Sequence, residues 1–264
     1  MVKPETITSA ANPLVKDVRR AVARGGLTSR GWWVAESPHL LEEALHSGCR
    51  VKQVMVAESA RGRLPAIAGI RLAVLPDTLL ERISGTEASQ GTIALVEPPE
   101  WKIEHLFAAC ALVVVLDGLQ DPGNAGATVR AAEAFGASGA IFLKGTASPF
   151  HPKTLRASAG SLFRVPFLYG MEAAMARAAC EERGVTLYAA LPSRAGAEVR
   201  AAADSDLSVP CAIVIGNEGS GVCGEWRGAA QGVSIPTVAV ESLNAAMAAG
   251  ILLYEAYRQR SQRV

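Results

Sequence analysis

The sequence lacks the cysteine spacing of a metal site or a disulfide framework. Its 264 residues contain five cysteines, which are scattered, odd in number and never arranged as Cys-x-x-Cys. Such cysteines are expected to be reduced thiols that fill core or surface positions. The histidines are equally dispersed, at His39, His46, His105 and His151. We therefore expect no metal site.

Long apolar runs are also missing. No run reaches the length that crosses a bilayer, and no signal peptide precedes a cleavage site. The composition, 50% hydrophobic and 19% charged, is typical of a globular protein with a sizeable core. We expect a cytoplasmic protein that has no membrane partner.

Two nucleotide-binding fingerprints are absent as well. The one glycine-rich loop, "GNEGSG" at residues 216–221, does not fit GxGxxG and lies near the end of the chain rather than after its first strand. The chain also has no GK[ST], which excludes a phosphate-cradling P-loop. A nucleotide-dependent oxidoreductase therefore lacks its expected sequence signal.

Net charge is only +1, but the charge is unevenly distributed. Residues 1–30 hold six basic residues against two acidic ones, mostly on a predicted helix within "SAANPLVKDVRRAVAR". A basic helix on a near-neutral protein could contact phosphate, and the alternative is a solvated helix face. The candidate contacts are Lys16, Arg19, Arg20 and Arg24.

Strand and helix patterns alternate along the chain and predict an α/β protein. Residues 1–97 form a small α/β unit, and the stiff polar segment "EPPEW" at 97–101 marks a boundary. We expect a linker over 98–105 and a second domain over 106–264. The β-branched run "ALVVVLDGL" suits a strand buried in a parallel sheet, and the Ala-rich stretch 195–203 suits a short helix or loop.

Three polar clusters follow predicted strands of the second domain, where open α/β sheets bind ligands. The first is "DGLQDPGNAGATVR". We expect a turn over 121–124, with Asn124 as the N-cap of a helix that carries Arg130. The alternative is an ordinary capped helix with an exposed arginine.

The second cluster is the glycine loop in "IVIGNEGSGV", residues 213–222. Its glycines would let backbone N–H groups approach a ligand. Glu218 would repel phosphate and could instead hold a cation such as an arginine. The alternative is a simple glycine turn.

The third cluster is "ESLN", which opens an Ala-rich closing helix. Ser242 is the expected helix cap, and Asn244 lies where small side chains permit close packing and polar groups need partners. The helix is apolar on nearly every face, more than a one-sided amphipathic helix needs. We therefore expect a homodimer.

Taken together and in this order, the three clusters resemble the SpoU/TrmH family of RNA ribose 2′-O-methyltransferases. The resemblance covers residues 106–264 and includes "HPKTLRASAGSLFRVPF". Residues 1–97 resemble the family's RNA-binding module, related to ribosomal protein L30e, through "ITSAANPLVKDVRR" and "SQGTIALVE". Two positions depart from the family pattern: Ser37 replaces the glycine of a Glu-Gly pair, and Val222 replaces a longer apolar residue.

The resemblance implies a parallel sheet with a C-terminal trefoil knot, S-adenosylmethionine (SAM) as cofactor, and a homodimer with the site at its interface. Knots are very rare, so no pattern in the composition predicts one. The positions that match the family's cofactor contacts are Gly216, Ile235 and Leu243, and the glycine loop adds Asn217 and Gly219. The positions that match the family's catalytic residues are Asn124, Arg130, Glu218, Ser242 and Asn244.

On this interpretation the protein methylates a ribose 2′-hydroxyl, with 23S rRNA favoured over tRNA because of the two-domain layout. Arg130 would stabilise the developing alkoxide and position phosphate, since a guanidinium is a very poor base. Glu218 would hold Arg130 or its neighbour. The alternatives are a tRNA 2′-O-methyltransferase and a non-catalytic RNA-binding protein of the same fold.

Overall fold

The computed structural model describes residues 4–86, 89–108, 110–192 and 199–262. The chain divides into two compact units. Unit 1 consists of Met1–Glu100 and Phe150–Phe163, and unit 2 consists of Trp101–Pro149 and Arg164–Val264. The first division lies within the predicted break at 97–101. None of the described helices is both long and apolar enough to span a membrane.

Unit 1 is built on a five-stranded sheet of order β1-β4-β3-β5-β2. The sheet is mixed, because β5 runs antiparallel to both β2 and β3 while β1, β3 and β4 run parallel. Its strands are β1 (Glu5–Thr6), β2 (Trp33–Glu36), β3 (Val51–Ala57), β4 (Arg71–Leu75) and β5 (Thr92–Val96). Its helices are α1 (Pro13–Arg24), α2 (Pro38–His46), α3 (Asp77–Glu81) and, from the returning segment, α6 (Pro152–Ala157).

Helix α1 forms as the sequence predicts. The Asn12 side chain accepts the Leu14 N–H at 2.9 Å, and the helix ends at Gly25 in the left-handed conformation. Val15, Val18 and Ala21 are buried on one side of the helix. The opposite face leaves the basic side chains exposed.

The returning segment 150–163 supplies part of the unit 1 core, which no sequence pattern predicts. The Trp33 ring lies 5.7 Å from that of Phe150 and 5.5 Å from that of Phe163. The Glu36 carboxylate, almost fully buried, pairs with Arg156 and also accepts the Gly85 N–H at 2.6 Å. Both charges of this buried pair therefore have partners.

Ser37 is the N-cap of α2, and its hydroxyl accepts the Leu40 N–H at 3.1 Å. Its φ of 146° and ψ of 156° belong to a region that only glycine adopts easily. The departure from the family's glycine therefore gives α2 a side-chain cap at the cost of backbone strain.

Unit 2 is built on a seven-stranded sheet of order β10-β12-β9-β11-β6-β7-β8, and all its described pairings are parallel. This confirms the predicted parallel sheet. Its strands are β6 (Leu112–Asp117), β7 (Gly139–Leu143), β8 (Phe167–Met171), β9 (Thr186–Ala190), β10 (Arg200–Ala201), β11 (Cys211–Gly216) and β12 (Gln231–Ser234). Its helices are α4 (Ile103–Leu106), α5 (Pro122–Ala134), α7 (Ala173–Glu181), α8 (Gly224–Arg227) and α9 (Ala245–Ser261).

The Ala-rich stretch 195–203 lies partly outside the described residues, which exclude 193–198. Its described end forms β10 and then a 3₁₀ turn, Ala202–Asp204, instead of an α-helix.

Two predicted helix starts are wrong by two or three residues. Helix α5 begins at Pro122, and its N-cap is Asp121, whose carboxylate accepts the Asn124 N–H at 3.2 Å. Asn124 thus lies in the first turn, where its side chain is free to point elsewhere. At α9 the cap is Asn244, whose Oδ1 accepts the N–H groups of Ala246 (3.0 Å) and Met247 (3.2 Å), and Ser242 lies outside the helix.

Candidate active site

The site lies where the two central strands of unit 2 end. In the register of β11 and β6, Gly216 is opposite Asp117. The Asp117 carboxylate accepts the Cys223 N–H at 2.6 Å, so the exit of the glycine loop is fastened to the neighbouring strand. This is the carboxyl edge of a parallel sheet, as the sequence predicts.

Asn217 organises the glycine loop. Its Oδ1 accepts the N–H groups of Gly219 (2.8 Å) and Ser220 (3.2 Å), and its Nδ2 donates to the Gly118 carbonyl at 2.8 Å. Its backbone also exchanges two hydrogen bonds with Gly221. The Asn217 side chain therefore shapes the loop, and a ligand would meet its backbone.

Gly216 is required where the loop closes. A Cβ at this position would lie 2.3 Å from the Gly221 carbonyl carbon, far inside any real contact. Gly221 has a φ of 69°, which also favours glycine. The tight turn brings backbone, rather than side chains, to the wall of the cavity beside it.

Three residues from the three polar clusters meet in one hydrogen-bonded network. The Asn124 Nδ2 donates to the Glu218 carboxylate. The Asn244 Nδ2 donates to the Asn124 Oδ1 at 3.0 Å. The Asn124 side-chain amide thus joins two residues that are distant in the chain: Glu218, 94 positions away, and Asn244, 120 positions away. Asn124 can make both bonds because Asp121, and not Asn124, caps α5.

Arg130 and Ser242 lie outside this network. Both are exposed, and among the described residues neither side chain has a hydrogen bond or an ion pair. Arg130 follows Asn124 by six positions, which is about 240° around an α-helix, so the two side chains point in different directions. In this structure Glu218 accepts a hydrogen bond from Asn124, and the expected contact of Glu218 with Arg130 or its neighbour stays a prediction.

A cavity of about 1190 Å³ opens beside the network. All five predicted cofactor positions line it: Gly216, Asn217, Gly219, Ile235 and Leu243. Glu218 and Ser242 line it too, next to apolar walls that include Leu191 and Leu252. Glycine backbone, aliphatic side chains and a few polar groups suit a nucleoside with a charged tail. The cavity therefore has room for SAM and a lining of suitable chemical character.

Three cysteines of unit 2 have thiol pKa values above the ordinary value. Burial, together with the nearby Asp117 carboxylate, raises the pKa of the Cys223 thiol, so it stays protonated at neutral pH. Burial also raises the pKa of Cys211 to about 11 and that of Cys180 to about 12. In the part of the chain that the structure describes, no three His, Cys, Asp or Glu side chains form a cluster that could hold a metal ion.

The basic residues predicted to bind RNA are exposed on α1 in unit 1. Lys16, Arg19 and Arg20 border a shallow depression of about 360 Å³. Sequence reasoning missed a neighbour of this surface: the Arg30 guanidinium lies 5.2 Å from the centre of the Trp32 ring. Asp17 ties this loop to α1 by accepting the Ser29 N–H at 2.9 Å.

Comparison with known proteins agrees with this geometry. The sequence profile described as "SpoU rRNA Methylase family" matches residues 111–254, more than half of the chain. The chain belongs to this family. A second profile, "MRM3-like substrate binding domain", matches residues 12–94. The predicted family membership is confirmed, and the methylase match covers most of unit 2 together with the returning segment 150–163 of unit 1.

Individual relatives match over nearly the whole chain. The 23S rRNA (guanosine(2553)-2′-O)-methyltransferase RlmP of Bacillus subtilis is 32% identical over 250 residues, covering 94% of this chain and 97% of that protein. The SpoU methyltransferase AviRb of Streptomyces viridochromogenes, solved with AdoMet, has a TM-score of 0.79 at 27% identity, covering 95% and 100% of the two chains. An AdoMet-bound rRNA methyltransferase of Sinorhizobium meliloti has a TM-score of 0.80 at 28% identity, covering 96% and 97%. The protein is a SAM-dependent RNA methyltransferase.

Proposed function

We propose that this methyltransferase modifies a ribose 2′-hydroxyl of 23S rRNA in the cytoplasm. The observation that carries the proposal is the Asn124–Glu218–Asn244 network at the mouth of the cofactor cavity. The 23S rRNA relative RlmP and the substrate-binding match over residues 12–94 support the choice of RNA. The trefoil knot implied by the resemblance is part of the same proposal.

The proposed chemistry divides among five residues: Asn124, Arg130, Glu218, Ser242 and Asn244. SAM, when bound, would supply an electrophilic methyl group on a sulfonium, and its transfer would leave neutral S-adenosylhomocysteine and release the hydroxyl proton to solvent. Arg130 stabilises the negative charge that develops on the 2′-oxygen and positions a neighbouring phosphate, as a guanidinium does well. The network of Asn124, Glu218 and Asn244 holds the start of α5 and α9 in register with the glycine loop. Ser242 offers an unpaired hydroxyl at the cavity wall.

The two domains have separate roles in this proposal: one binds the RNA and the other carries the catalytic residues. Residues 1–97, joined through 98–105 to the catalytic domain 106–264, hold the RNA through Lys16, Arg19, Arg20 and Arg24. These side chains make no described ion pair within the protein, so their charge is available to phosphates. Arg30 and Trp32 extend that surface with a flat stack suited to a nucleobase.

We further propose a homodimer formed through α9 and the exposed side of α5. Met247, Ile251 and Tyr254 are spaced along one exposed stripe of α9. The Tyr254 ring lies 5.5 Å from that of Phe135 at the end of α5, so the stripe continues onto that helix. Arg130, exposed on α5, would then meet a partner subunit, which explains why it does not join the network of its own chain. Sedimentation as an active monomer at micromolar concentration would contradict this.

The experiment for the main proposal combines a reaction with a deletion strain. Purified protein is incubated with SAM and either rRNA or tRNA, and the digested RNA is analysed for 2′-O-methylnucleosides by mass spectrometry. We expect the modification in 23S rRNA and the loss of one such site from rRNA of the deletion strain. Base methylation would refute the ribose assignment. Methylation of tRNA alone would establish the tRNA alternative, and binding without transfer to either RNA would establish a non-catalytic protein.

A further inference from the structure

The cavity of unit 2 contains charged side chains to which the proposed reaction gives no role. Arg227, the last residue of α8, and Glu241, in the loop before α9, line it together with Glu218. Arg227 is the one basic residue among the described residues that line the cavity. Neither Arg227 nor Glu241 has a hydrogen bond or an ion pair within the described part of the chain.

Arg227 is presented by a well-anchored support. The preceding residue, Trp226, is fully buried, and its carbonyl accepts the Ala230 N–H at 2.8 Å. Glu225 forms an ion pair with Arg177 of α7 at 2.9 Å. Two consecutive anchors thus hold α8, and the next residue, Arg227, lines the cavity. Its lack of a partner is therefore not explained by a loose backbone.

The charged side chains that line the cavity are complementary in sign and number to the charged groups of SAM. SAM carries two cationic groups, a sulfonium and an ammonium, and one anionic group, a carboxylate. The lining carries two carboxylates, Glu218 and Glu241, and one guanidinium, Arg227. A guanidinium binds a carboxylate through two parallel hydrogen bonds, a geometry that suits the methionyl end of this cofactor.

We propose that Arg227 binds the carboxylate of SAM and so fixes the methionyl end of the cofactor. The proposal rests on the SAM dependence of the family and on Arg227 being the sole described cation of the lining. An RNA phosphate is the competing anion. The cofactor is favoured because α8 directly follows the glycine loop that forms the cofactor wall.

The test compares two ligands that differ only in the carboxylate. Calorimetry measures the affinity of wild type and Arg227→Gln for SAM and for decarboxylated SAM, which retains the sulfonium and the amine. Losing one charge-assisted pair should weaken SAM binding by about 10- to 100-fold, while binding of decarboxylated SAM stays within about twofold. Arg227→Lys should recover part of the loss, because it keeps the charge but not the planar fork.

Each other outcome overturns the proposal. Equal losses for both ligands would mean that Arg227 acts on cavity shape, and unchanged SAM affinity would mean that it does not touch the cofactor. Weaker RNA binding with unchanged SAM affinity would assign Arg227 to a phosphate. Arg63→Gln, an exposed arginine of unit 1, is the matched control and should bind both ligands as wild type does. Wild type that fails to bind SAM would refute the cofactor itself, a result distinct from failure of Arg227 alone.

Discussion

Two places in the molecule, one in each unit, use charged side chains in opposite ways. In unit 1, Glu36 is almost fully buried and is paired with Arg156 and the Gly85 N–H. In unit 2, charged residues line an open cavity, and Arg227 and Glu241 have no described partner. A buried pair serves the fold, because leaving either charge unpaired would be costly. Accessible charges without partners, gathered beside a cavity, are instead available to a ligand.

Of the substitutions considered, removal of Arg156 should cause the largest change in stability, because it breaks the buried pair of unit 1. Arg156→Ala leaves the Glu36 carboxylate buried without its cation, which should lower the free energy of unfolding by about 3 kcal/mol. Urea denaturation followed by circular dichroism measures this. Arg63→Ala, which removes an exposed arginine, should change stability by no more than about 0.5 kcal/mol. If both variants are equally stable, the buried pair does not support unit 1.

The basic face of α1 provides the next test. Its charges belong to unit 1, but we propose that they bind RNA and do not stabilise the fold. Replacing Lys16, Arg19, Arg20 and Arg24 together with glutamine should weaken RNA binding and flatten its salt dependence. Each lost phosphate contact removes roughly 0.7–0.9 from the log–log slope. SAM affinity, measured in parallel, should not change. Unaltered RNA affinity and slope would show that the face is only solvated surface.

Asn244 has two roles, since it caps α9 and also donates a hydrogen bond to Asn124 in the network. Two substitutions can separate these roles. Asn244→Asp keeps an oxygen that caps α9 but loses the N–H donated to Asn124, so transfer should slow at nearly unchanged stability. Asn244→Ala loses both and should also cost about 1 kcal/mol of stability. Thermal denaturation and single-turnover kinetics measure the two effects. Equal transfer rates for wild type and Asn244→Asp would remove the network from the mechanism.

The smallest expected effect concerns the strained backbone of unit 1. Ser37→Gly should relieve strain of about 1–3 kcal/mol and lose only a few tenths from the cap. We expect a net gain of about 1 kcal/mol, or a rise in Tm of about 2–4 °C. Ser37→Ala, which loses the cap and keeps the strain, should lower Tm. A lower Tm for the glycine variant would show that the Ser37 hydroxyl outweighs the strain.

The sequence predicted elements well where periodicity was strong. The buried run of β6, together with the alternation of strands and helices around it, was enough to predict the parallel sheet. It failed at α5 and α9 because several residues capable of capping stand close together, and only the folded backbone decides among Asp121, Asn124, Ser242 and Asn244. Likewise, no local pattern links Arg156 to Glu36, 120 residues apart. Long-range pairing of this kind depends on tertiary structure.

The site was predicted in part for the same reason. Glycine spacing marked the loop, but the contact between Asn124 and Glu218 depends on how β6 and β11 pair. Arg227 and Glu241 carried no motif, and only their position at the cavity singles them out. Conversely, the catalytic role of Arg130 was predicted from the family resemblance alone. Among the described residues of its own chain, no hydrogen bond or ion pair of the Arg130 side chain accounts for that role.

Arg130 therefore provides the most direct test of the claim that unit 2 performs the chemistry. Single-turnover methyl transfer at saturating SAM and RNA is measured for wild type, Arg130→Ala and Arg130→Lys, together with SAM affinity. Loss of one preorganised charge-stabilising donor should slow transfer by about 10²–10³, with little rescue by lysine and unchanged SAM affinity. Transfer at the wild-type rate by Arg130→Ala would contradict the account.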